Sequence, residues 1–155
     1  MPSIETHNPQ AQAPILQSCV AASIDLSLAF KHLHWNIRGP KFQYIHELLD
    51  VVIDQARVGS DELAERQVTI GMPAEGQRLK LGGTPVPQIE SGFMRDDVVI
   101  ERAVTILDEV VKVLRNAQQE LADIDAVSED LVIGILAGYE KSLWMLRSHF
   151  EPLDV

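Results

Sequence analysis

The sequence predicts an all-α fold, a four-helix bundle with one long crossover between its second and third helices. Four stretches repeat apolar residues at helical spacing, two of the three connections between them are short, and no stretch alternates convincingly enough to be a strand. At 155 residues the chain is the size of a single domain.

Residues 1–13 are polar, carry Pro2, Asn8 and Pro9, and have no apolar period, so they read as a flexible N-terminal tail ahead of a helical domain over 14–155. Pro14 suits a first helical turn, and beyond it Leu16, Val20, Ile24 and Leu28 recur every four residues, predicting a helix to about Ile37. Gly39-Pro40 ends it. The second helix puts Ile45, Leu49, Val52, Ala56 and Leu63 on its apolar face and closes near Gly71-Met72-Pro73. Between 71 and 96 stand five glycines and three prolines, a connection of unusual length for a compact domain. It is expected to cross the bundle from end to end, with one short helix over 87–91. Asp96-Asp97 can cap and charge the start of the third helix, whose stripe is Ile100, Ala103, Val104, Leu107, Val111, Leu114, Ala117 and Leu121. The fourth starts around Ser128-Glu129-Asp130 and carries Val132, Ile135, Leu136, Tyr139, Leu143, Leu146 and Phe150. Gly134 and Gly138, four apart on it, are expected to serve packing. Four helices with one long crossover is the connectivity of ferritin-like bundles.

The formal charge of −10 and a pI near 4.8 repel phosphate backbones and attract cations. Charged residues are expected to interrupt every apolar run before the ~20 residues of a membrane span. The first thirty residues hold no Lys or Arg, so neither the basic start of a secretory signal nor an Arg-rich transit peptide is read there, and the cytoplasm is the expected compartment. Cys19 is the only cysteine, which excludes an internal disulfide and a thiolate metal cage, and it reads as a small buried residue on a helix.

The chemistry-bearing residues gather around the Gly39-Pro40 break. If the first two helices form an antiparallel hairpin, His34 and His46 stand at about the same height near its turn. At about 100° per residue, His46, Asp50, Asp61 and Glu65 fall at roughly 0°, 40°, 60° and 100°, on one side of the second helix. The eleven steps from Asp50 to Asp61 nevertheless span roughly 16 Å at ~1.5 Å each, while metal–ligand bonds are only ~2 Å long. One metal cannot meet them all within one chain. The conflict disappears if two copies of the second helix cross antiparallel about a two-fold axis near Gln55-Ala56, the commonest kind of oligomer contact. His34, His46 and Asp50 of one copy then face Asp61 and Glu65 of the other, and two imidazoles with three carboxylates suit iron, manganese or zinc. Iron gains weight because carboxylate-rich sites in helix bundles are where Fe(II) is held. A single helix histidine is more often an ordinary residue than a ligand, and i,i+4 acidic pairs are common on solvated faces. It is the shared register of all five that favours a site. His7, His32 and His149 lack matching partners and read as surface residues. Asp54, near the axis, reads as a solvated charge more readily than as a residue supporting the ligands, and Trp35 as core or interface packing beside the site, where an aromatic could also intercept radicals.

Residues 34–50, His-Trp-Asn-Ile-Arg-Gly-Pro-Lys-Phe-Gln-Tyr-Ile-His-Glu-Leu-Leu-Asp, closely resemble the first motif of the Dps proteins, mini-ferritins named for DNA protection during starvation. Asp61-Glu62-Leu63-Ala64-Glu65-Arg66, followed by Ile70-Gly71, resembles the second, and the similarity runs on to Leu143-Trp144. Ser60 departs from the pattern, which usually has a larger apolar residue there. The resemblance implies a dodecameric shell of tetrahedral symmetry with ferroxidase sites at its two-fold interfaces, built from His34, His46 and Asp50 of one subunit and Asp61 and Glu65 of its neighbour. It implies Fe(II) as substrate, hydrogen peroxide as the preferred oxidant and ferric mineral in the cavity; the donor set itself admits Zn or Mn as competitors. It also implies acidic pores between the third and fourth helices, for which Asp123, Asp125, Glu129 and Asp130 are candidates beside the plainer reading of a solvated turn.

DNA is where the sequence departs from the family. DNA-binding members often use a lysine-rich terminus, yet residues 1–30 lack cations, the end at 151–155 is acidic, and twelve copies at −10 each would total −120. Direct DNA binding is therefore expected to be weak. Three alternatives remain. A ferritin or bacterioferritin centre inside each bundle needs Glu-x-x-His, and no histidine here has Glu three residues before it. A non-catalytic nucleoid-associated or adhesion-type shell protein would not need the five-ligand set. A zinc-loaded shell is permitted by the ligands.

Overall fold

The computed structural model describes residues 8–77 and 83–149. Helix α1 (Pro9–Asn36) starts at Pro9 rather than Pro14, because Asn8 supplies a cap that the proline pattern obscured. Asn8 adopts a left-handed conformation (φ 51°), and its side-chain oxygen accepts from the Ala11 amide at 3.2 Å. Residues 9–13 are thus helical, while the tail expected over residues 1–7 lies outside the described residues. The most apolar 18-residue window of α1 has a mean hydropathy of 1.4, long and apolar enough by composition to cross a membrane, which corrects the expectation of interrupted runs. Burial of 56% of that window inside the bundle makes it a core helix.

Helix α2 (Phe42–Thr69) buries the predicted face from Ile45 to Leu63, α3 (Asp96–Leu121) buries its stripe with Val104 half-buried, and α4 (Ala126–Arg147) buries Val132, Leu136, Tyr139, Leu143 and Leu146. Phe150 lies outside the described residues. A two-residue parallel bridge, β1 (Ile37–Arg38) against β2 (Met94–Arg95), is the one extended pairing among the described residues, too short to leave an alternating pattern. It fixes the topology. By bringing the start of α3 to the turn where α2 begins, it shows that residues 70–95 leave the far end of α2 and return along the whole bundle. Consequently α3 runs parallel to α2, α1 packs on α2 and α3, α4 packs on α3 and α2, and the four close around one core that includes Phe30, Leu33, Ile53, Ile106 and Tyr139.

The short helix expected over 87–91 does not form. Pro85 and Pro87 donate no amide hydrogens, Val86 and Ile89 anchor on the core, and the Glu90 carbonyl oxygen is bonded to the His32 ring at 3.2 Å, so this irregular segment is held from the side. Earlier in the crossover, the Gln17 amide pairs both ways with the Glu75 backbone, at 2.8 and 2.9 Å.

The end of the bundle away from the β bridge is locked by polar groups. Arg66 on α2 donates from Nη2 to Asp125 Oδ2 at 2.7 Å and from Nε to Ser128 Oγ at 2.9 Å, and Ser128 Oγ donates to Gln12 Oε1 on α1 at 2.8 Å. Asp125 also caps α4 by accepting from the Ser128 amide at 2.9 Å, which explains why that helix starts at Ala126, before the predicted Ser128. Gly134 does not pack as expected, since a Cβ there would meet nothing within 4 Å. It opens onto an apolar groove between α2 and α4 lined by Val51, Val58 and Ile135.

Candidate metal centre

The turn between α1 and α2 sets the site. Gly39 has φ 145°, and a Cβ there would stand 2.5 Å from Asp96 Cγ, so only glycine lets the turn lie against the start of α3. Asp96 Oδ2 then accepts from the Lys41 amide at 2.8 Å, tying the first turn of α2 to α3. This brings the last turn of α1 beside the first turn of α2, where the His34 and His46 rings stack with centroids 3.5 Å apart and Phe42 covers His46 at 4.9 Å.

The two histidines hold each other through the backbone: His34 Nδ1 bonds the His46 carbonyl oxygen at 3.0 Å, and His46 Nδ1 bonds the His34 carbonyl oxygen at 3.0 Å. A carbonyl oxygen only accepts, so each Nδ1 carries a proton, and in the neutral form of either ring the lone pair sits on Nε2. A backbone carbonyl behind the ring is the arrangement that fixes tautomer and orientation in metal-ligating histidines. Burial holds His34 below the ordinary histidine pKa, which keeps its ring neutral and able to ligate.

Asp50, one turn beyond His46, completes the cluster. Its Oδ1 lies 3.2 Å from His34 Nδ1 and 2.8 Å from Lys31 Nζ, and the Lys31 hydrogen bond, with the nearby histidines, keeps its carboxyl below the usual carboxylate range. Ligand atoms of His34, His46 and Asp50 lie within 4.8 Å of one another. An ion with bonds of ~2.1 Å holds its donors at most ~4.2 Å apart, so side-chain adjustment is needed for the three residues to close on one divalent cation. Two imidazoles and one carboxylate leave further coordination positions for a substrate or another carboxylate.

The other predicted residues stand elsewhere. Asp61 and Glu65 are exposed on α2, outside the triad, and neither meets a cation among the described residues. Trp35 is 68% exposed, which removes the core reading and leaves the interface one. Asp54 is exposed at the rim of the α2–α4 groove. Among the acidic pore candidates, Asp123 and Asp130 are exposed, Glu129 accepts from Gln118 at 2.7 Å, and Asp125 is engaged by Arg66 and Ser128. Cys19 is fully buried, and burial pushes its thiol pKa up to about 12. His32 is half-buried and bonded to the crossover, His149 is half-buried against Tyr44, and His7 lies outside the described residues. Sequence reasoning missed Lys31. The sequence shows that it is the first cation in the chain, one helical turn before His34, but not which carboxylate it meets.

A family profile described as a ferritin-like domain matches residues 14–154. The DNA protection during starvation protein of Mycolicibacterium smegmatis is 31% identical over 160 residues, covering 97% of this chain and 83% of that protein. The fine tangled pili major subunit of Haemophilus ducreyi is 30% identical over 140 residues, covering 90% of this chain and 74% of that protein. Among solved structures, Dps from Microbacterium arborescens in the high iron form superposes with a TM-score of 0.90 at 30% identity, covering 96% of this chain and 98% of that one.

Proposed function

The chain belongs to the ferritin-like domain family and within it to the Dps proteins, and on that premise we propose that it oxidises Fe(II) at sites shared between two subunits and stores the ferric product in a dodecameric shell. The observation that supports this reading best is the His34–His46–Asp50 cluster, with both rings held by carbonyl oxygens so that their Nε2 lone pairs remain available. Asp61 and Glu65 of a neighbouring subunit complete a di-iron centre, which accounts for two unpaired carboxylates on the exposed face of α2. Hydrogen peroxide is the preferred oxidant. Two Fe(II) each give up one electron, and one peroxide with two protons becomes two waters, so no hydroxyl radical is released and the cell is protected from oxidative damage.

The role of this chain's residues is to bind and to orient. The His34 and His46 imidazoles and the Asp50 carboxylate hold one Fe(II), the neighbour's Asp61 and Glu65 draw in the second, and the acidic groups compensate the charge as each ion becomes trivalent. Asp123 and Asp130, with Glu129 beside them, favour cation entry at the α3–α4 turn. Asp125 belongs to that pore only through its position, since its carboxylate is already engaged. Zn and Mn compete for the same donors. The protein works in the cytoplasm and binds DNA weakly or not at all.

A second reading, a non-catalytic shell or adhesion-type protein, is favoured by the relative named as a pilus subunit. Anaerobic loading with Fe(II) followed by peroxide separates the two: rapid ferric formation in the wild type and its loss in His46→Ala is the expected result. Equal rates with and without the protein would leave only the shell.

A further inference from the structure

We infer that Lys31 is a built-in counter-ion of the metal centre, an ammonium that holds the Asp50 carboxylate while the site is empty and must leave Oδ1 when a divalent cation binds. The inference rests on the proposed metal centre and names what regulates its affinity. Lys31 Nζ lies 2.8 Å from the same Oδ1 that faces His34 Nδ1 at 3.2 Å. A cation bonded to that oxygen at ~2.1 Å would stand within roughly 5 Å of the ammonium, where the two positive charges repel each other through a partly dehydrated space. Among the described residues Lys31 is the one Lys or Arg paired with Asp50, beside the two histidines, and no other carboxylate holds it. Its side chain keeps 23% of its exposure, so its four-carbon stem can swing the head group into solvent without disturbing α1.

Competition of this kind has two effects. While the site is empty, the ammonium compensates the carboxylate charge and keeps the oxygen aimed beside the histidines, so the site is preorganised. On loading, the cation must displace an ion pair that is already made, so its affinity is lower than the three donors alone would give. Exposed ion pairs are weak, so the effect is a few-fold in binding rather than orders of magnitude.

The test uses the assembled protein free of metal, titrated with Co(II), whose visible spectrum reports both occupancy and geometry, in wild type, Lys31→Met, Lys31→Arg and Asp50→Ala. Lys31→Met should bind Co(II) about two- to fivefold more tightly, with an unchanged spectrum and a gain that shrinks at high salt. Lys31→Arg, which keeps the charge, should bind no more tightly than wild type. Unchanged or weaker binding in Lys31→Met, or a shifted spectrum, would overturn the inference and make Lys31 a group that merely orients Asp50. If Asp50→Ala binds Co(II) like the wild type, the metal centre itself is wrongly assigned and the inference falls with it.

Discussion

Replacing Asp125 by alanine removes two things at once. The carboxylate caps α4 at the Ser128 amide, and the loss of such a cap costs about 1 kcal/mol. It also pairs with Arg66, with both side chains nearly buried at 13% and 11% exposure, and stripping a charged hydrogen bond from a group left behind costs about 1.5–3 kcal/mol. The combined loss is about 2.5–4 kcal/mol. A chain of this length shifts by roughly 2–4 °C per kcal/mol, so Asp125→Ala should melt about 10 °C lower, measured by circular dichroism at neutral pH. Asp125→Asn keeps a capping oxygen and loses only the charge, so about half of the shift should remain. The pH dependence has a definite sign. Hydrogen bonds from Ser128 and Arg66 outweigh desolvation and lower the Asp125 pKa in the folded chain, so the folded state binds fewer protons than the unfolded one. The stabilisation is fully present above the unfolded value of about 3.9 and disappears as pH falls through the folded value, where wild type and Asp125→Asn should converge. Melting of Asp125→Ala within 2 °C of the wild type would refute the reasoning.

Three further outcomes are expected. Gly39→Ala forces a side chain into a φ of 145° and against Asp96, so it should lose about 1–3 kcal/mol in chemical denaturation and weaken Co(II) binding through the displaced histidines. Asp123→Asn with Asp130→Asn should slow ferric formation after rapid mixing while leaving the melting temperature within about 2 °C, because both are exposed and neither carboxylate holds a partner among the described residues. In a gel shift at physiological salt the protein should leave duplex DNA unretarded, since a chain of −10 has no cationic tail over residues 1–30 with which to release counterions.

Helical periodicity made the bundle legible because the stripes predicted on α2, α3 and α4 fall largely on the face that fills the core, whereas on α1 Leu16 and Val20 are buried but Ile24 is half-buried and Leu28 is 50% exposed; the count of glycines and prolines after Gly71 made the crossover legible. The triad was legible for a geometric reason: His46 and Asp50 are one turn apart, and Gly39-Pro40 marks where His34 must come level with them. What escaped depended on single polar contacts. The start of α1 turns on one Asn8 side chain, the absence of a helix over 87–91 on a carbonyl oxygen held by His32, and the engagement of Asp125 on Arg66, far away in sequence. Lys31 was hidden in the same way, because nothing in the spacing of Lys31 and Asp50 tells which of several carboxylates the ammonium meets.

The central claim is that a working site needs two subunits, and it can be tested by mixing defects. Asp50→Ala and Glu65→Ala, each inactive alone, are co-assembled in equal amounts, and peroxide-dependent Fe(II) oxidation is followed. In a mixed pair one site carries both defects and the other carries neither. With half of the two-fold interfaces mixed at random, about a quarter of the wild-type sites should return. Recovery near that fraction is the predicted result. A co-assembled shell as inactive as either parent would show that Asp50 and Glu65 of different subunits do not form one site, and would contradict the two-subunit centre.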